Sequence, residues 1–223
     1  SAARDEDFIE YVHQANMHST MMFFTEQGRL YWTKVYELPE GNRQSKGRAL
    51  QHMINIQKGD KVCAFIHVKN LNDMEYVQNH YLIFATKDGL MKKTTLESYS
   101  RPRANGIIAL GLREGDRLIR VTLTDGNSQM LVASYNGKVV RFPEDSVRPM
   151  GRTATGVRAI KLDEDGQDRV IGMICVEEGS KESVLVISEK GFGKRTDLND
   201  ENGEAIYRIT NRGGKGVKTM NLT

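Results

Sequence analysis

The chain has 223 residues, of which 39% are apolar and 27% charged, and a formal net charge of +3. That length can bury a substantial core, and all-β folds often reach it as one unit. Its apolar runs, such as "YLIFA" and "SVLVIS", fall far short of the ~20 residues that cross a bilayer, so neither a membrane span nor a secretory segment is expected.

The first segment, "SAARDEDFIEYVHQAN", has the spacing of an amphipathic helix, yet its Asp7 falls where three later aspartates each precede an apolar run. A strand is therefore expected there. "MMFFTEQG" follows, an apolar run closed by a polar turn and Gly28, and then "RLYWTKV" as a second strand. The basic stretch "NRQSKGR" holds Arg43, Lys46, Gly47 and Arg48, and Asp60 opens "GDKVCAFIHV". The pattern then returns. "YLIFATKDG" closes at Gly89, "LMKKTTL" follows, "SRPRANG" carries Arg101, Arg103 and Gly106, and Asp116 opens "GDRLIRVTL". In the third copy "MLVASYNG" closes at Gly137 and "KVVRFPE" follows. "RPMGRTATGVR" then carries Arg148, Arg152, Gly156 and Arg158 before Asp168 opens "QDRVIGMICV". The fourth runs from "VLVISEKG", through "FGKRTDL", to "NRGGKGVK" with Arg212, Gly213, Gly214, Lys215, Gly216 and Lys218.

Asp7, Asp60, Asp116 and Asp168 are 53, 56 and 52 residues apart, and three of the second glycines open nearly the same run, "GIIALGL", "GVRAIKL" and "GVKTMNL". Each repeat offers four short strands joined by turn signals, within the length of one propeller blade. A four-stranded blade cannot bury both faces alone, so the blades must stack. The expectation is an all-β, propeller-like array of four repeats, at approximately 7–59, 60–115, 116–167 and 168–223.

The basic residues recur with the glycines, whereas acidic residues fall mainly in segments such as "LDEDGQD" and "DLNDENGE". Equivalent turns of stacked repeats share an edge, which would make them a nearly continuous basic rim. A second recurring set lies four positions after the first glycine, Trp32, Lys93, Arg141 and Arg195, and its three cations are expected to add to that rim. The glycine-rich turn "TNRGGKGVKTMNL" is no nucleotide loop, because a P-loop needs G-x-x-x-x-G-K-[ST] between a strand and a helix. "GFGKRT" also fails, with Arg195 where a magnesium-binding Ser or Thr should stand. Charge pattern alone leaves two readings open, a phosphate-binding rim or a β-surface kept soluble by Lys and Arg.

"GRLYWTKVYELPEGNRQSKGRA", "NGKVVRFPEDSVRPMGRTATGVRAIKL" and "KGFGKRTDL" closely resemble the C-terminal domain of the bacterial DNA gyrase A protein, and the likeness covers essentially the whole chain. The resemblance implies a β-pinwheel, a propeller-like ring whose blades exchange a strand or hairpin, with a basic perimeter that bends and wraps duplex DNA. It implies a part in negative supercoiling by a type IIA topoisomerase, with the remainder of the gyrase A protein and the gyrase B protein as partners in a heterotetramer. It places the protein in the bacterial cytoplasm, with the nucleoid. The family's nucleophilic tyrosine belongs to another domain, and ATP and Mg2+ are used elsewhere in the holoenzyme. No catalysis, cofactor, small-molecule substrate or membrane partner is thus expected of this chain.

Two departures stand out. The family's box, Q-R-R-G-G-K-G, normally precedes the domain's first strand, whereas the closest match here, "NRGGKG" at 211 to 216, lies in the fourth repeat and lacks the leading Gln and one Arg. The family usually has about six blades against four repeats here, so an incomplete ring and a partial chain are expected. The related domain of topoisomerase IV and a protein-binding propeller scaffold are the alternatives. The five histidines show no metal-ligand spacing, and Trp32 with Phe23, Phe24, Phe65 and Phe84 reads as core. Cys63 and Cys175, 112 residues apart, read as buried thiols of a reducing compartment.

Overall fold

Three of the four apolar hairpins form the middle of four-stranded antiparallel sheets in a computed structural model that describes residues 16–38, 54–177, 183–187, 193–202 and 204–219. The strand expected around Asp7 and the basic stretch at 43–48 lie outside the described residues. β1 (Thr20–Thr25) pairs with β2 (Arg29–Lys34), β4 (Tyr81–Thr86) with β5 (Leu90–Thr95), and β8 (Ser128–Ser134) with β9 (Lys138–Pro143). A fourth hairpin, β12 (Ser183–Ile187) with β13 (Gly193–Asp197), makes a two-stranded sheet. Among the described residues one short α-helix, α1 (Met74–Asn79), is capped by Asp73, whose side chain accepts the Tyr76 N–H.

Each of the first three hairpins is completed by two strands that come later in the chain. β3 (Val62–Val68), β7 (Leu118–Thr124) and β11 (Val170–Glu177) flank β1, β4 and β8. On the far side, the two-residue strands β6 (Ile107–Ile108), β10 (Val157–Arg158) and β14 (Val217–Lys218) flank β2, β5 and β9. β6 follows the second hairpin in sequence yet pairs with the first, and β10 and β14 repeat that step. This is strand exchange between blades: each four-stranded sheet is closed by a segment of the next repeat.

The continuous apolar runs are explained by stacking. A strand covered on both faces has no solvent side, so the alternation that marks half-buried strands vanishes. In β4, Leu82 and Phe84 pack against Met22, Phe24 and Leu30 of the first blade, while Ile83 and Ala85 pack against Met130, Val132 and Phe142 of the third. Phe24 and Phe84 meet edge to face with centroids 5.5 Å apart. Cys63 and Cys175 are half-buried free thiols, and burial pushes the Cys63 thiol up to about 12.

The recurring aspartates brace the hairpin turns. Asp60 accepts the N–H groups of Gln27 and Lys61, Asp116 those of Asp88 and Arg117, and Asp168 those of Asn136 and Arg169, all at 2.8–3.1 Å. Gln27, Asp88 and Asn136 each precede the turn glycine, so a carboxylate about 30 residues downstream holds the turn. Asp116→Ala would leave two amides without that acceptor and is expected to cost about 1–3 kcal/mol. Equilibrium urea unfolding measures it, and a loss below about 0.5 kcal/mol would mean that water replaces the carboxylate.

Candidate nucleic-acid interface

The exchanged strands carry the basic loops to one edge of the sheets. The third strands of successive blades pack on one another, β3 on β7 and β7 on β11, whereas β6, β10 and β14 lie at the opposite edge of each sheet. Each loop enters its exchanged strand through a glycine that the crossing requires. At Gly156, with φ +98°, a Cβ would lie 2.3 Å from the Met91 carbonyl oxygen; Gly106 and Gly216 press in the same way on Leu30 and Val139. These three glycines therefore serve the approach of two protein backbones. Their recurrence beside the cations follows from that crossing. Gly213 and Gly214 differ, since neither meets backbone closer than 3.5 Å.

The loops join one another. The Gly111 N–H donates to the Ala154 carbonyl, the Lys161 N–H to that of Gly214, and the Gly213 N–H to that of Ala159. A methyl placed on Gly213 would touch Cδ of Arg158 at 3.8 Å, so that side chain runs along the fourth repeat's turn. The basic segments of the second, third and fourth repeats are thus contiguous. Arg101, Arg103, Arg148, Arg158, Lys215 and Lys218 are exposed on them. The bracing aspartates sit instead at the hairpin turns, toward which the chain runs after the exchanged strand: the Ala109 N–H reaches the Gly28 carbonyl at 2.8 Å.

Four other sequence candidates behave differently. Lys93 is 4% exposed and pairs with the fully buried Glu144 at 3.1 Å, while its ammonium stands over the Tyr81 ring. Arg141 is 8% exposed and donates to the Gln129 side chain and the Leu198 carbonyl; burial lowers its pKa. Neither presents its charge to solvent. The expectation that this set adds to the rim is corrected for both, because the strand after the first glycine lies inside the sheet. Trp32, at the same register, donates its indole N–H to the Tyr99 carbonyl and packs on the core. Arg152 and Arg212 are half-buried, and each gives a guanidinium N–H to a backbone carbonyl, at Ile108 and Arg158 respectively. Arg43, Lys46, Gly47, Arg48 and the side chain of Arg195 lie outside the described residues.

Two cations escaped the sequence reading. Lys92 is fully buried and donates to the Tyr99 hydroxyl and to the carbonyls of Ala109 and Arg152. Burial, followed by the nearby charge of Arg152, brings its pKa down to about 7. It ties the loops of the second and third repeats from beneath. Arg29 donates to the Asn105 carbonyl at 2.9 Å and to the Tyr31 hydroxyl, holding the loop before Gly106. The only signal for Arg29 was a basic residue directly after a first glycine; nothing in "LMKKTTL" separates Lys92 from its neighbour.

A family model described as DNA gyrase C-terminal domain, beta-propeller, matches residues 19–69, 80–125, 129–177 and 182–223. Over 219 residues the chain is 42% identical to the DNA gyrase A protein of Staphylococcus aureus, a span covering 98% of this chain and 23% of that protein. The chain thus spans less than a quarter of the length of that curated relative. Among solved structures it is similar to the C-terminal domain of DNA topoisomerase IV, with a TM-score of 0.76 and 26% identity over 91% of this chain and 59% of the other. A DNA gyrase A C-terminal domain matches with a TM-score of 0.69 and 22% identity, over 91% of this chain and 60% of that one, a likeness of fold. With four family segments laid over the three exchanged-strand blades and the fourth hairpin, the chain belongs to the DNA gyrase C-terminal domain family.

Proposed function

We propose that the chain binds duplex DNA without reading its sequence and wraps it along the edge formed by the exchanged strands. In a full-length gyrase A protein this wrapping would support negative supercoiling by DNA gyrase, acting with the rest of that protein and with the gyrase B protein, while the catalytic tyrosine and the ATPase lie outside this chain. The bacterial cytoplasm, at the nucleoid, is where such a domain would meet its DNA. The observation that carries the reading is the contiguity of three basic loops on one edge, with the recurring aspartates drawn off to the hairpin turns. Lys and Arg against phosphate release counterions whatever the base sequence. Bending 20–30 base pairs by 40–90° costs of order 1–6 kcal/mol, which many contacts along a curved edge can offset and one patch cannot.

The higher TM-score to the topoisomerase IV domain favours one second reading, a domain that contacts DNA without completing a wrap. Duplex length separates the two. A wrapping edge should bind duplexes longer than about 100 base pairs more tightly than 20-mers after correction for overlapping sites. Equal site-corrected affinities would remove wrapping, and weak binding to both would leave a protein-binding scaffold.

A further inference from the structure

Arg152 and Arg212 occupy the same place in their repeats, four residues before Gly156 and Gly216. Each donates Nη1 to the carbonyl two residues after the preceding repeat's second glycine: Arg152 to Ile108 at 2.7 Å and Arg212 to Arg158 at 2.6 Å. Both acceptors belong to exchanged strands, β6 and β10, which are the last strands of their sheets. An edge carbonyl has no partner within its own sheet, and here the next repeat supplies one.

We infer that Arg152 and Arg212 are positioning residues that clasp β6 and β10 to the following basic loops, so that the spacing of the phosphate-facing cations is set before DNA arrives. The inference rests on the DNA-wrapping reading and assigns roles within that edge: the clasps hold, while Arg103, Arg158, Lys215 and Lys218 face the phosphates. The joint has a backbone half as well. The amide five residues after each second glycine donates to the carbonyl two residues before the next, Gly111 to Ala154 at 3.1 Å and Lys161 to Gly214 at 2.8 Å. At the first joint Lys92 adds a third tie by donating to the Arg152 carbonyl. A planar guanidinium holds its donors in a fixed fork, which suits a joint that must keep one geometry. In the second repeat Pro102 stands at this position, so no side-chain donor is available there.

The arrangement separates two quantities that charge alone would couple. A duplex short enough to touch one loop depends on the local cations, whereas a duplex that spans several loops depends on their relative placement as well. Arg152→Lys keeps the charge and loses the fork. Arg158→Gln removes an exposed charge and leaves the fork in place.

The experiment compares these two variants with the wild-type chain, after melting has shown that all are folded. It measures affinity for a 20-base-pair and for a roughly 150-base-pair duplex, the linking-number change trapped by ligating bound nicked circles, and amide exchange at Gly111. For Arg152→Lys the 20-mer affinity should stay within about twofold, while the long-duplex advantage and the trapped linking change fall about fivefold and Gly111 protection falls about tenfold. Arg158→Gln should weaken 20-mer binding and leave Gly111 protection unchanged. Full Gly111 protection with an intact long-duplex advantage in Arg152→Lys would overturn the inference, and so would a 20-mer loss as large as that of Arg158→Gln. If the wild type itself shows no length advantage, the wrapping reading fails, and Gly111 exchange in Arg152→Lys still decides whether the arginine clasps the strand.

Discussion

Raising the salt from 50 to 200 mM should weaken duplex binding about a thousandfold. Six cations are exposed on the contiguous loops: Arg101, Arg103, Arg148, Arg158, Lys215 and Lys218. If each neutralises one phosphate, log K falls with log salt at a slope of about −5, which over a fourfold change in salt is about three decades. The effect exceeds that of a scattered surface of modest net charge, because only cations in contact with phosphate release counterions. Arg158→Gln should flatten the slope by about 0.9, since it removes one such contact. Arg113→Gln should not, although Arg113 is as exposed, because it opens the turn that leads to Asp116, away from the basic loops. At physiological salt a charge more than ~8 Å from the phosphates is largely screened. Duplex titrations monitored by anisotropy at four salt concentrations supply the slopes. A slope near −1 for the wild type, or equal losses in the two variants, would show that these loops do not form the phosphate path.

Glu144→Ala should destabilise the fold by about 3–5 kcal/mol, the cost of leaving a buried charge without its partner. Glu144 is fully buried and accepts from the Lys93 ammonium, the Thr124 hydroxyl and the Ser128 N–H, so its loss strands three donors at the seam between the second and third blades. Lys93 would keep its contact with the Tyr81 ring at 4.3 Å, too weak a partner to replace a carboxylate. Glu144→Gln should cost less, because an amide oxygen in the Oε1 place still accepts from Lys93 and Thr124. Replacing Lys93 with Met in the Glu144→Ala background should recover part of the loss by removing the orphaned charge. Urea unfolding of the wild type, Glu144→Ala, Lys93→Met and the double variant forms a double-mutant cycle, and additive losses would show that the two residues do not act as a pair.

The repeats were legible because their chemistry is local. An apolar run, a polar turn and a glycine specify a hairpin wherever they occur, and Gly89 takes φ +90° at the turn that "KDG" announced. The aspartates were legible only as landmarks. Their spacing marked the period, but the bonds they make run to turns about 30 residues earlier, and no local pattern names such a partner. The third strands were foreseen at the right places, yet β3, expected to open a second repeat, completes the sheet of the first hairpin.

Charge is a property of a residue, but exposure is a property of its neighbours, and that difference divides what the residues determined from what the fold decided. By itself the sequence determined an all-β array of repeated hairpins, the period, and the recurrence of cations beside the second glycines. It could not distinguish Arg158, which faces solvent, from Arg152, which spends a donor on Ile108, because both are arginines in one loop of the same composition. Nor could it separate Lys92, held beneath the loops by three oxygens, from Lys93, which turns to the opposite face and pairs with Glu144. Adjacent residues of a strand point to opposite sides of a sheet, and which side meets which blade is fixed only when the blades stack. Strand exchange completes the division: the edge that gathers the basic loops exists because β6, β10 and β14 leave their own repeats to close the preceding sheets.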